Sequence, residues 1–281
     1  MTAILQTTGV GFSYPGGAQA LNNLSVAFAE GRRTAVLGRN GSGKSTLFTL
    51  LNGLQRPHQG VVLFRGEPLR YNRGALKSLR GKVGMVFQEP DSQLFSASIR
   101  EDVSFGPMNQ GLPPAQVRQR VEEALAAVGL AEIAGRPVHA LSQGEKKRAC
   151  IAGVLAMHPE VLILDEPTAG LDPVMIRELT AVLDQCHARG VTVLLATHDV
   201  DFAYAWADDV CLLDTGTLAF HGSVEELRGM GTRLPELGLE SPWVLALYQL
   251  LGRKGVLDRA ATPPRSRAAL MKLIDSSGEA G

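Results

Sequence analysis

Residues 38–46 restrict the possible folds of this chain more than any other stretch, because they read Gly-Arg-Asn-Gly-Ser-Gly-Lys-Ser-Thr. This run fits the pattern G-x-x-x-x-G-K-[ST] of a phosphate-binding loop. Residues 33–37 before it are apolar and β-branched, which is typical of a buried strand, and residues 47–52 after it favour a helix that stops at Gly53. A strand, a glycine-rich loop and a helix in this order predict a binding site for a polyphosphate.

The residue types within this loop explain the predicted chemistry. Its glycines permit tight bends and leave no Cβ between the backbone and a phosphate. The backbone N–H groups and the positive end of the following helix then face the anion. We expect Lys44 to reach the β- and γ-phosphates and the Ser45 hydroxyl to hold Mg²⁺. The loop residues predicted to bind nucleotide are Gly38, Arg39, Asn40, Gly41, Ser42, Gly43, Lys44, Ser45 and Thr46.

Length and composition narrow the class of protein. The 281 residues suit one large domain, or one domain with appendages. Basic and acidic residues balance at 28 each, so the net charge is zero and a basic nucleic-acid binder is disfavoured. Three scattered cysteines favour reduced core thiols in a cytosolic protein. We see no signal peptide and no apolar run near the roughly 20 residues that span a bilayer, so membrane work would require a partner.

The segment before the loop predicts two strands and one aromatic contact. Residues 5–14 and 24–28 have strand character, and the second stretch alternates apolar with small or polar residues. Tyr14 begins the turn between them, where an aromatic ring upstream of a phosphate-binding loop could stack on adenine. Packing within the turn is the alternative role for Tyr14.

Two further strands are predicted after the loop, at residues 60–64 and 82–87. Gln88 ends the second strand, and its amide oxygen could reach a metal ion or an attacking water, although a solvated loop glutamine is the alternative. From about residue 98 to 158 the apolar spacing becomes helical, with an amphipathic helix that follows a proline pair.

A second anion-facing helix start is predicted at residues 141–148, which read Leu-Ser-Gln-Gly-Glu-Lys-Lys-Arg. Ser142 and Gly144 stand where the helix begins, so backbone N–H groups are free to meet an anion there. We expect the three basic residues 146–148 to form a solvated helix face.

Two adjacent carboxylates end the next buried strand. Residues 161–164 are apolar, Asp165 and Glu166 follow, and Pro167 stops the strand. Ligands bind at the carboxyl ends of parallel strands in α/β sheets. Asp165 therefore fits a carboxylate associated with Mg²⁺, and Glu166 fits the group that polarises an attacking water. Two exposed turn acids are the alternative, which a neighbouring phosphate-binding loop disfavours.

The remaining chain continues the α/β pattern. A helix is expected over residues 172–188 and a buried strand over 191–196, which places His198 at the same sheet edge, in contact with a γ-phosphate or as a turn residue. A hairpin follows at about 210–220, and Ser223-x-x-Glu226 predicts a capped short helix. The last residues predict a small appendage that ends in a helix near 267–274.

Taken in order, these motifs resemble those of the ATP-binding cassette (ABC) ATPases. The matching positions are Tyr14, Gly38 to Ser45, Gln88, Leu141 to Glu145, Val161 to Glu166, Ala169 to Asp172 and His198. The resemblance covers residues 1–228 and implies an α/β, RecA-like P-loop NTPase fold. Its parts are a mixed-sheet core, an antiparallel β subdomain, a helical signature subdomain at about 90–158 and a C-terminal extension at 229–281.

The resemblance also implies roles for individual residues in ATP hydrolysis. Glu166, His198 and Gln88 would be catalytic, and Ser45, Gln88 and Asp165 would hold Mg²⁺. Besides Tyr14 and the loop, nucleotide contacts would come from Ser142, Gln143, Gly144, Glu145 and Asp172. Gln143 and Glu145 depart from the commonest signature, Leu-Ser-Gly-Gly-Gln, so contacts from these two positions follow less directly.

Two stretches, residues 87–95 and 151–157, look like the ATPases of energy-coupling factor importers, which take up vitamins or transition-metal ions. Residues 145–148 look most like the cobalt and nickel branch. The resemblance implies a head-to-tail dimer that sandwiches two ATP molecules, formed with a second copy or a related cassette. Integral membrane coupling and substrate-binding subunits would dock near residues 88–106 and hold the dimer at the cytoplasmic face of the membrane.

Three alternatives remain at the level of sequence. The cargo could differ, as in an exporter or an amino-acid importer. A non-transport cassette in translation or DNA repair is disfavoured by a single cassette, the lack of sustained heptads and the zero net charge. An inactive regulatory cassette is opposed by Lys44, Asp165, Glu166 and His198 together.

Overall fold

The computed structural model describes residues 2–230, 233–257 and 262–278. The strands are β1 (Ala3–Ser13), β2 (Gln19–Ala29), β3 (Arg33–Leu37), β4 (Gln59–Phe64), β5 (Glu67–Pro68), β6 (Val83–Val86), β7 (Val161–Asp165), β8 (Thr192–Thr197), β9 (Asp209–Asp214) and β10 (Thr217–Ser223). The α-helices are α1 (Lys44–Leu51), α2 (Arg73–Lys82), α3 (Ile99–Asn109), α4 (Pro114–Ala127), α5 (Gln143–Leu155), α6 (Pro173–Ala188), α7 (Val200–Trp206), α8 (Arg233–Glu236), α9 (Trp243–Arg253) and α10 (Arg267–Gly278). Short 3-10 helices span Pro90–Ser92, Ala131–Ile133, Val138–Ala140 and Val224–Met230.

A mainly parallel sheet forms the centre of the molecule. Within the described residues it has six strands in the order β10-β9-β3-β8-β7-β6, and only the β9–β10 pair is antiparallel. Every residue of β6, β7 and β8 is buried, which agrees with helices covering both faces of a parallel sheet. The carboxyl ends of β3, β6, β7 and β8 lie at one edge, so the residues that follow each strand meet there.

A second sheet is antiparallel, with the order β2-β1-β4-β5. Its apolar face shares one hydrophobic cluster with α1 and with the central sheet, including Leu5, Phe28, Phe48 and Ile163. Burial of such side chains stabilises a fold by about 1.5–3 kcal/mol each. Helix α1, which follows the phosphate-binding loop, therefore packs against both sheets.

Three segments distant in sequence meet beside the loop. A Cβ on Gly43 would lie 2.8 Å from the carbonyl oxygen of Ala20 in β2, and a Cβ on Gly216 would lie 2.6 Å from the same oxygen. Gly216 also donates its N–H to the carbonyl of Ser42 at 3.1 Å, and its carbonyl accepts from the N–H of Asn22 at 2.9 Å. We call these contacts the glycine junction, because only residues without a Cβ fit at positions 43 and 216.

Helices α3, α4 and α5 form a unit at the far end of the parallel sheet. Val117, Val121 and Leu125 of α4 are buried at helical spacing, as the sequence predicts, and Pro114 is the first residue of the helix. The predicted fold class, an α/β cassette with an antiparallel sheet and a helical part, is confirmed.

Among the described residues after Met230, Val244, Tyr248, Leu257 and Leu270 form a separate apolar cluster, whereas Leu234, Leu239 and Leu245 belong to the main hydrophobic core. Two contacts attach this segment to α7. The N–H of Trp243 donates to Asp201 Oδ1 at 2.7 Å, and the Arg265 guanidinium donates to the backbone carbonyls of Tyr204 and Ala207. The predicted extension, 229–281, also includes residues 231–232, 258–261 and 279–281, which lie outside the described part of the chain.

Four helices, α2, α7, α8 and α9, were not anticipated from the sequence. Helix α2 contains two glycines and few apolar residues, and its start depends on Asn72, whose side chain accepts the N–H of Ala75 at 3.0 Å. In helix α9, Pro242 precedes the first turn and Gly252 lies near the end. The short helix expected after Ser223 is a 3-10 helix. Among the described helices, none has the length and apolar character to cross a bilayer.

Candidate nucleotide-binding and hydrolysis site

Strand β3 and helix α1 hold the glycine-rich loop between them. The loop packs closely against its surroundings, since a Cβ on Gly38 would lie 2.4 Å from Ser42 Oγ and 2.5 Å from the Leu213 carbonyl oxygen. Gly43 has φ 104°, a conformation that favours glycine, and it directly precedes α1. The first turn of this helix therefore presents its N–H groups at the sheet edge.

Lys44 is buried and lies across the loop. Its ammonium donates to the carbonyls of Gly38 at 2.7 Å and Arg39 at 3.3 Å, and it lies 3.5 Å from Glu166 Oε1. The cation is thus held between the loop and the end of β7. A phosphate bound by the loop would meet a positive charge that is already fixed in place.

The two carboxylates that end β7 are both buried. Within the described residues, Asp165 Oδ1 and Glu166 Oε1 have no hydrogen-bond partner, although Lys44 supplies charge to the latter. Burial raises the pKa of Asp165, while a hydrogen bond with the Ser45 hydroxyl opposes this rise. A buried carboxylate oxygen without a partner beside a hydroxyl suits a hard cation, so these residues fit Mg²⁺.

Glu166 is held in an uncommon backbone conformation. Its φ is 46°, in the left-handed region that non-glycine residues seldom occupy, and its N–H donates to the Ala196 carbonyl at 3.0 Å. Oε2 of the carboxylate lies 3.1 Å from His198 Nδ1, a hydrogen-bond distance at which the carboxylate accepts from the ring N–H. Glu166 is 8% exposed and His198 is 61% exposed, so the histidine lies at the open side of the carboxylate.

An open cleft of about 440 Å³ joins these groups. Tyr14 borders it at the side of the loop, where its hydroxyl lies 3.3 Å from Thr46 Oγ1 and its ring meets Phe12 edge-on at 5.0 Å. Two further residues line the cleft: Ala20, which sequence reasoning did not select, and Ala169, which begins the matched segment 169–172. The predicted residues that line it are Tyr14, Asn40, Gly41, Ser42, Gly43, Lys44, Ser45, Thr46, Gln88, Glu166 and His198.

Gly38, Arg39 and Asp165 adjoin the cleft rather than line it. Gly38 contributes its carbonyl to Lys44, and Asp165 lies beneath Ser45. Arg39 borders a second cleft, next to His198, where the residue Gly238 packs against its side chain.

The signature residues 142–145 and Asp172 lie outside this cleft. Ser142 caps α5, with its N–H donating to Glu145 Oε2 at 2.8 Å and its Oγ accepting the Glu145 N–H at 3.3 Å. Ser142 and Gln143 are exposed, whereas Gly144 packs against Met175. This reciprocal cap explains the glutamate at position 145, and the pattern Ser-x-x-Glu could have revealed it. The backbone hydrogen bond from Ser142 lowers the pKa of Glu145.

Asp172 caps the next helix in the chain. Its Oδ1 accepts the N–H groups of Val174 at 2.8 Å and Met175 at 2.9 Å at the start of α6. Its place in the monomer is at the exposed end of the turn that follows Glu166.

The expectation of a solvated basic face at residues 146–148 is wrong for Lys147. This lysine is 6% exposed, and its ammonium donates to the carbonyls of Pro167 at 3.0 Å and Ala169 at 2.5 Å. Lys147 lies three residues after the buried Gly144 and four before the buried Ile151, so helical periodicity turns it inward. Burial lowers the pKa of Lys147, while Glu89 and Glu166 oppose that change.

A glycine-rich phosphate loop, a buried Asp-Glu pair after a parallel strand and a histidine on the second carboxylate define a P-loop ATPase. The model of the ABC transporter family matches residues 21–169, more than half of the chain. The chain belongs to the ABC transporter family and is an ATPase of that family.

Two named relatives show that, within the ABC transporter family, the chain is similar to the ATP-binding proteins of importers. The energy-coupling factor transporter ATP-binding protein EcfA of Methanocaldococcus jannaschii is 42% identical, over 89% of this chain and 90% of its own. The cobalt import ATP-binding protein CbiO of Rhodobacter capsulatus is 44% identical, over 96% of each. The predicted resemblance to energy-coupling factor ATPases is confirmed.

Solved structures agree with this assignment. CbiO1 of Clostridium perfringens, part of the transporter complex CbiONQ, is 40% identical with a TM-score of 0.76, over 89% of this chain and 100% of that one. The ATP-binding cassette MJ0796, solved as a dimer in a post-hydrolysis state with ADP and Pi, is 26% identical with a TM-score of 0.72, over 78% of this chain and 98% of that one.

Proposed function

We propose that this chain is the ATP-hydrolysing subunit of an energy-coupling factor importer for cobalt or nickel ions. The cobalt import name of the relative that is 44% identical supports the cargo, as does the CbiONQ origin of the structural neighbour. The ATPase part of the proposal rests on the buried carboxylate of Glu166, which directly follows β7. This carboxylate lies 3.5 Å from Lys44 of the phosphate loop and 3.1 Å from His198. A vitamin remains the second candidate cargo, because EcfA relatives carry names without a metal.

In this proposal ATP lies in the cleft with its phosphates on the loop. The N–H groups of residues 41–46 and the Lys44 ammonium would contact the β- and γ-phosphates, and the Tyr14 ring would flank the adenine. Ser45, Asp165 and Gln88 would hold Mg²⁺, which when bound neutralises charge on the phosphates. The hydroxyl, carboxylate and amide oxygens of these three residues are the hard ligands that this ion prefers.

Glu166 would orient the attacking water and accept its proton. Its second oxygen contacts His198, which fixes the direction of the carboxylate and would meet the γ-phosphate from the open side. Lys44 would stabilise charge on the transferred phosphoryl group. Catalysis of this kind depends on positioning and charge, since the protein forms no covalent bond to the phosphoryl group.

A second subunit would complete the site. The signature residues 142–145 do not line the cleft, and Ser142 and Gln143 at the start of α5 are exposed. In a head-to-tail dimer the start of α5 from one subunit would close the nucleotide site of the other. The dimer of the related cassette MJ0796 with ADP and Pi supports this arrangement. We propose the homodimer because one chain carries both half-sites.

A groove near residues 88–106 would receive the membrane subunit. It encloses about 930 Å³ between α2 and α3, and its rim includes Phe95, 64% exposed, in edge-on contact with Phe105 at 4.8 Å. Exposed aromatic residues of this size mark protein interfaces more often than free surface. We propose that an integral membrane coupling subunit inserts a helix here, which would place the ATPase at the cytoplasmic face.

The cargo is tested in reconstituted vesicles. The chain would be co-purified with its membrane subunits, and ATP-dependent uptake of Co²⁺, Ni²⁺ and labelled vitamins would be compared. We expect uptake of a transition metal that stops in Glu166→Gln. Uptake of a vitamin alone would contradict the metal assignment and leave the ATPase assignment intact.

A further inference from the structure

The contacts of Lys147 extend from the signature helix to the hydrolytic site of the same subunit. The ammonium of Lys147 donates to the carbonyls of Pro167 and Ala169, which lie one and three residues after Glu166 in the chain. The turn that they form has few other internal bonds, namely the Ala169 N–H to the Glu166 carbonyl and the Leu171 N–H to the Thr168 carbonyl, both at 3.2 Å. A buried lysine with two backbone acceptors is therefore the main side-chain support of this turn.

Lys147 lies near the start of α5, so it connects the turn after Glu166 to the end of this helix. Lys147 lies about one helical turn after Gly144, at the end of α5 that would meet the nucleotide of the second subunit. The neighbouring cations make different contacts, because Lys146 pairs with Asp91 at 2.6 Å and Arg148 pairs with Glu178 at 3.0 Å. Both of these pairs involve an exposed carboxylate, so Lys147 is the buried member of the basic run.

The backbone conformation of Glu166 depends on the contacts that hold the turn after it. A non-glycine residue with φ 46° costs free energy and persists only where its surroundings hold it. Lys147 fixes the carbonyls one and three residues later, and the Ala196 carbonyl fixes the N–H of Glu166 itself. Release of the turn would allow Glu166 to rotate away from the loop and from His198.

We propose that Lys147 is a positioning residue that locks the turn after Glu166, and that it transmits the state of α5 to the hydrolytic carboxylate of its own subunit. The proposal rests on the proposed catalytic role of Glu166 and on the proposed dimer. When α5 engages the nucleotide of the partner site, the ammonium holds the Pro167–Ala169 carbonyls in the hydrolytic arrangement. Each subunit then hydrolyses its own ATP fastest when it also contacts that of its partner.

The test compares three variants in the full chain. Lys147→Met keeps the bulk and removes the donor, Lys147→Gln keeps a shorter donor, and Lys82→Met removes an exposed lysine that pairs with Glu160 rather than with the turn. We expect Lys147→Met to lower kcat about tenfold, to leave KM for ATP within about twofold, and to bring the Hill coefficient close to 1. Lys147→Gln should recover most of kcat, and Lys82→Met should match the unmodified chain.

Hydrogen exchange supplies a readout apart from activity. The amides of residues 168–171 should exchange faster in Lys147→Met than in the unmodified chain, with thermal stability measured in parallel. An unchanged kcat in Lys147→Met, or an equal loss in the Met and Gln variants, would overturn the proposal. If Lys147→Met does not fold, the proposal is tested with Lys147→Gln alone. A tenfold loss of kcat in Lys147→Gln would then show that a hydrogen-bond donor at this position does not support the turn. Glu166→Gln is measured beside them, since activity in Glu166→Gln would overturn the proposed function itself.

Discussion

At the scale of single residues, the site depends on charges that are buried before any substrate arrives. Lys44 lies between two loop carbonyls and Glu166, and both carboxylates at the end of β7 are shielded from solvent. Buried charges at such close distances interact strongly, so the removal of one changes the environment of the others. Substitutions at these positions therefore separate binding from hydrolysis.

Glu166→Gln should remove hydrolysis and preserve binding. The amide keeps the size of the side chain but cannot accept a proton from water, so we expect turnover to fall by at least about 100-fold. ATP affinity and ATP-dependent dimerisation should persist. Steady-state phosphate release and equilibrium nucleotide binding measure the two effects, and normal turnover in this variant would remove Glu166 from its proposed role.

Lys44→Ala should lower the affinity for ATP, whereas Glu166→Gln lowers turnover. Loss of the ammonium removes a charge-assisted contact to the phosphates, which should weaken ATP binding by roughly 1–3 kcal/mol. Lys82→Ala serves as the control, because that side chain is exposed and pairs with Glu160 rather than with a residue of the loop. Calorimetric titration with ATP measures the change, and an unaltered affinity would contradict the assignment of the loop.

At the scale of secondary-structure elements, the start of α5 combines a structural cap with a proposed ligand contact. Ser142 and Glu145 exchange hydrogen bonds, so this helix end is rigid in the monomer. The departure from glutamine at position 145 therefore has a local explanation, independent of any nucleotide.

Glu145→Ala should lower the free energy of unfolding by about 0.5–2 kcal/mol at neutral pH. The pKa of Glu145 is lowered in the folded chain, so its stabilising effect is present above the unfolded pKa and disappears as pH falls through the folded value. The difference between the variant and the unmodified chain should therefore narrow in acid. Urea unfolding across this pH range measures it, with Glu145→Gln as the variant that retains an acceptor at every pH.

The elements that could be predicted from sequence are those whose chemistry lies within a few consecutive residues. The loop at 38–46, the Asp165–Glu166 pair and the amphipathic α4 depend on local patterns that sequence displays directly. Helix α2 depends on a single cap at Asn72, and the burial of Lys147 depends on carbonyls twenty or more residues away. Such contacts form only when distant elements pack, so no window of sequence contains them.

At the scale of the whole molecule, the residues after 228 form a segment that packs beside the nucleotide-binding domain. They attach to α7, which directly follows His198 and Asp199, and exposed Trp243 lies at the point of attachment. We propose that this segment, a C-terminal extension, packs between subunits, because its exposed side chains include the large apolar residues Trp243, Leu250, Val256 and Met271.

Truncation after residue 228 should weaken the ATP-dependent dimer. Light scattering in the Glu166→Gln background measures the dimer, since ATP then persists in the site. ATP binding by the truncated chain controls for correct folding, because the loop lies within the retained residues. Dimerisation equal to that of the full chain would show that the extension serves another purpose.

The glycine junction has a consequence for how the cassette matures. Because Ala20, Gly43 and Gly216 belong to the antiparallel sheet, the phosphate loop and the β9–β10 turn, the loop reaches its final shape only after both sheets have docked. A half-folded chain would thus be unable to capture nucleotide, and ATP affinity during refolding would serve as a reporter of completed assembly. Subunits that have not finished folding would therefore not bind or hydrolyse ATP.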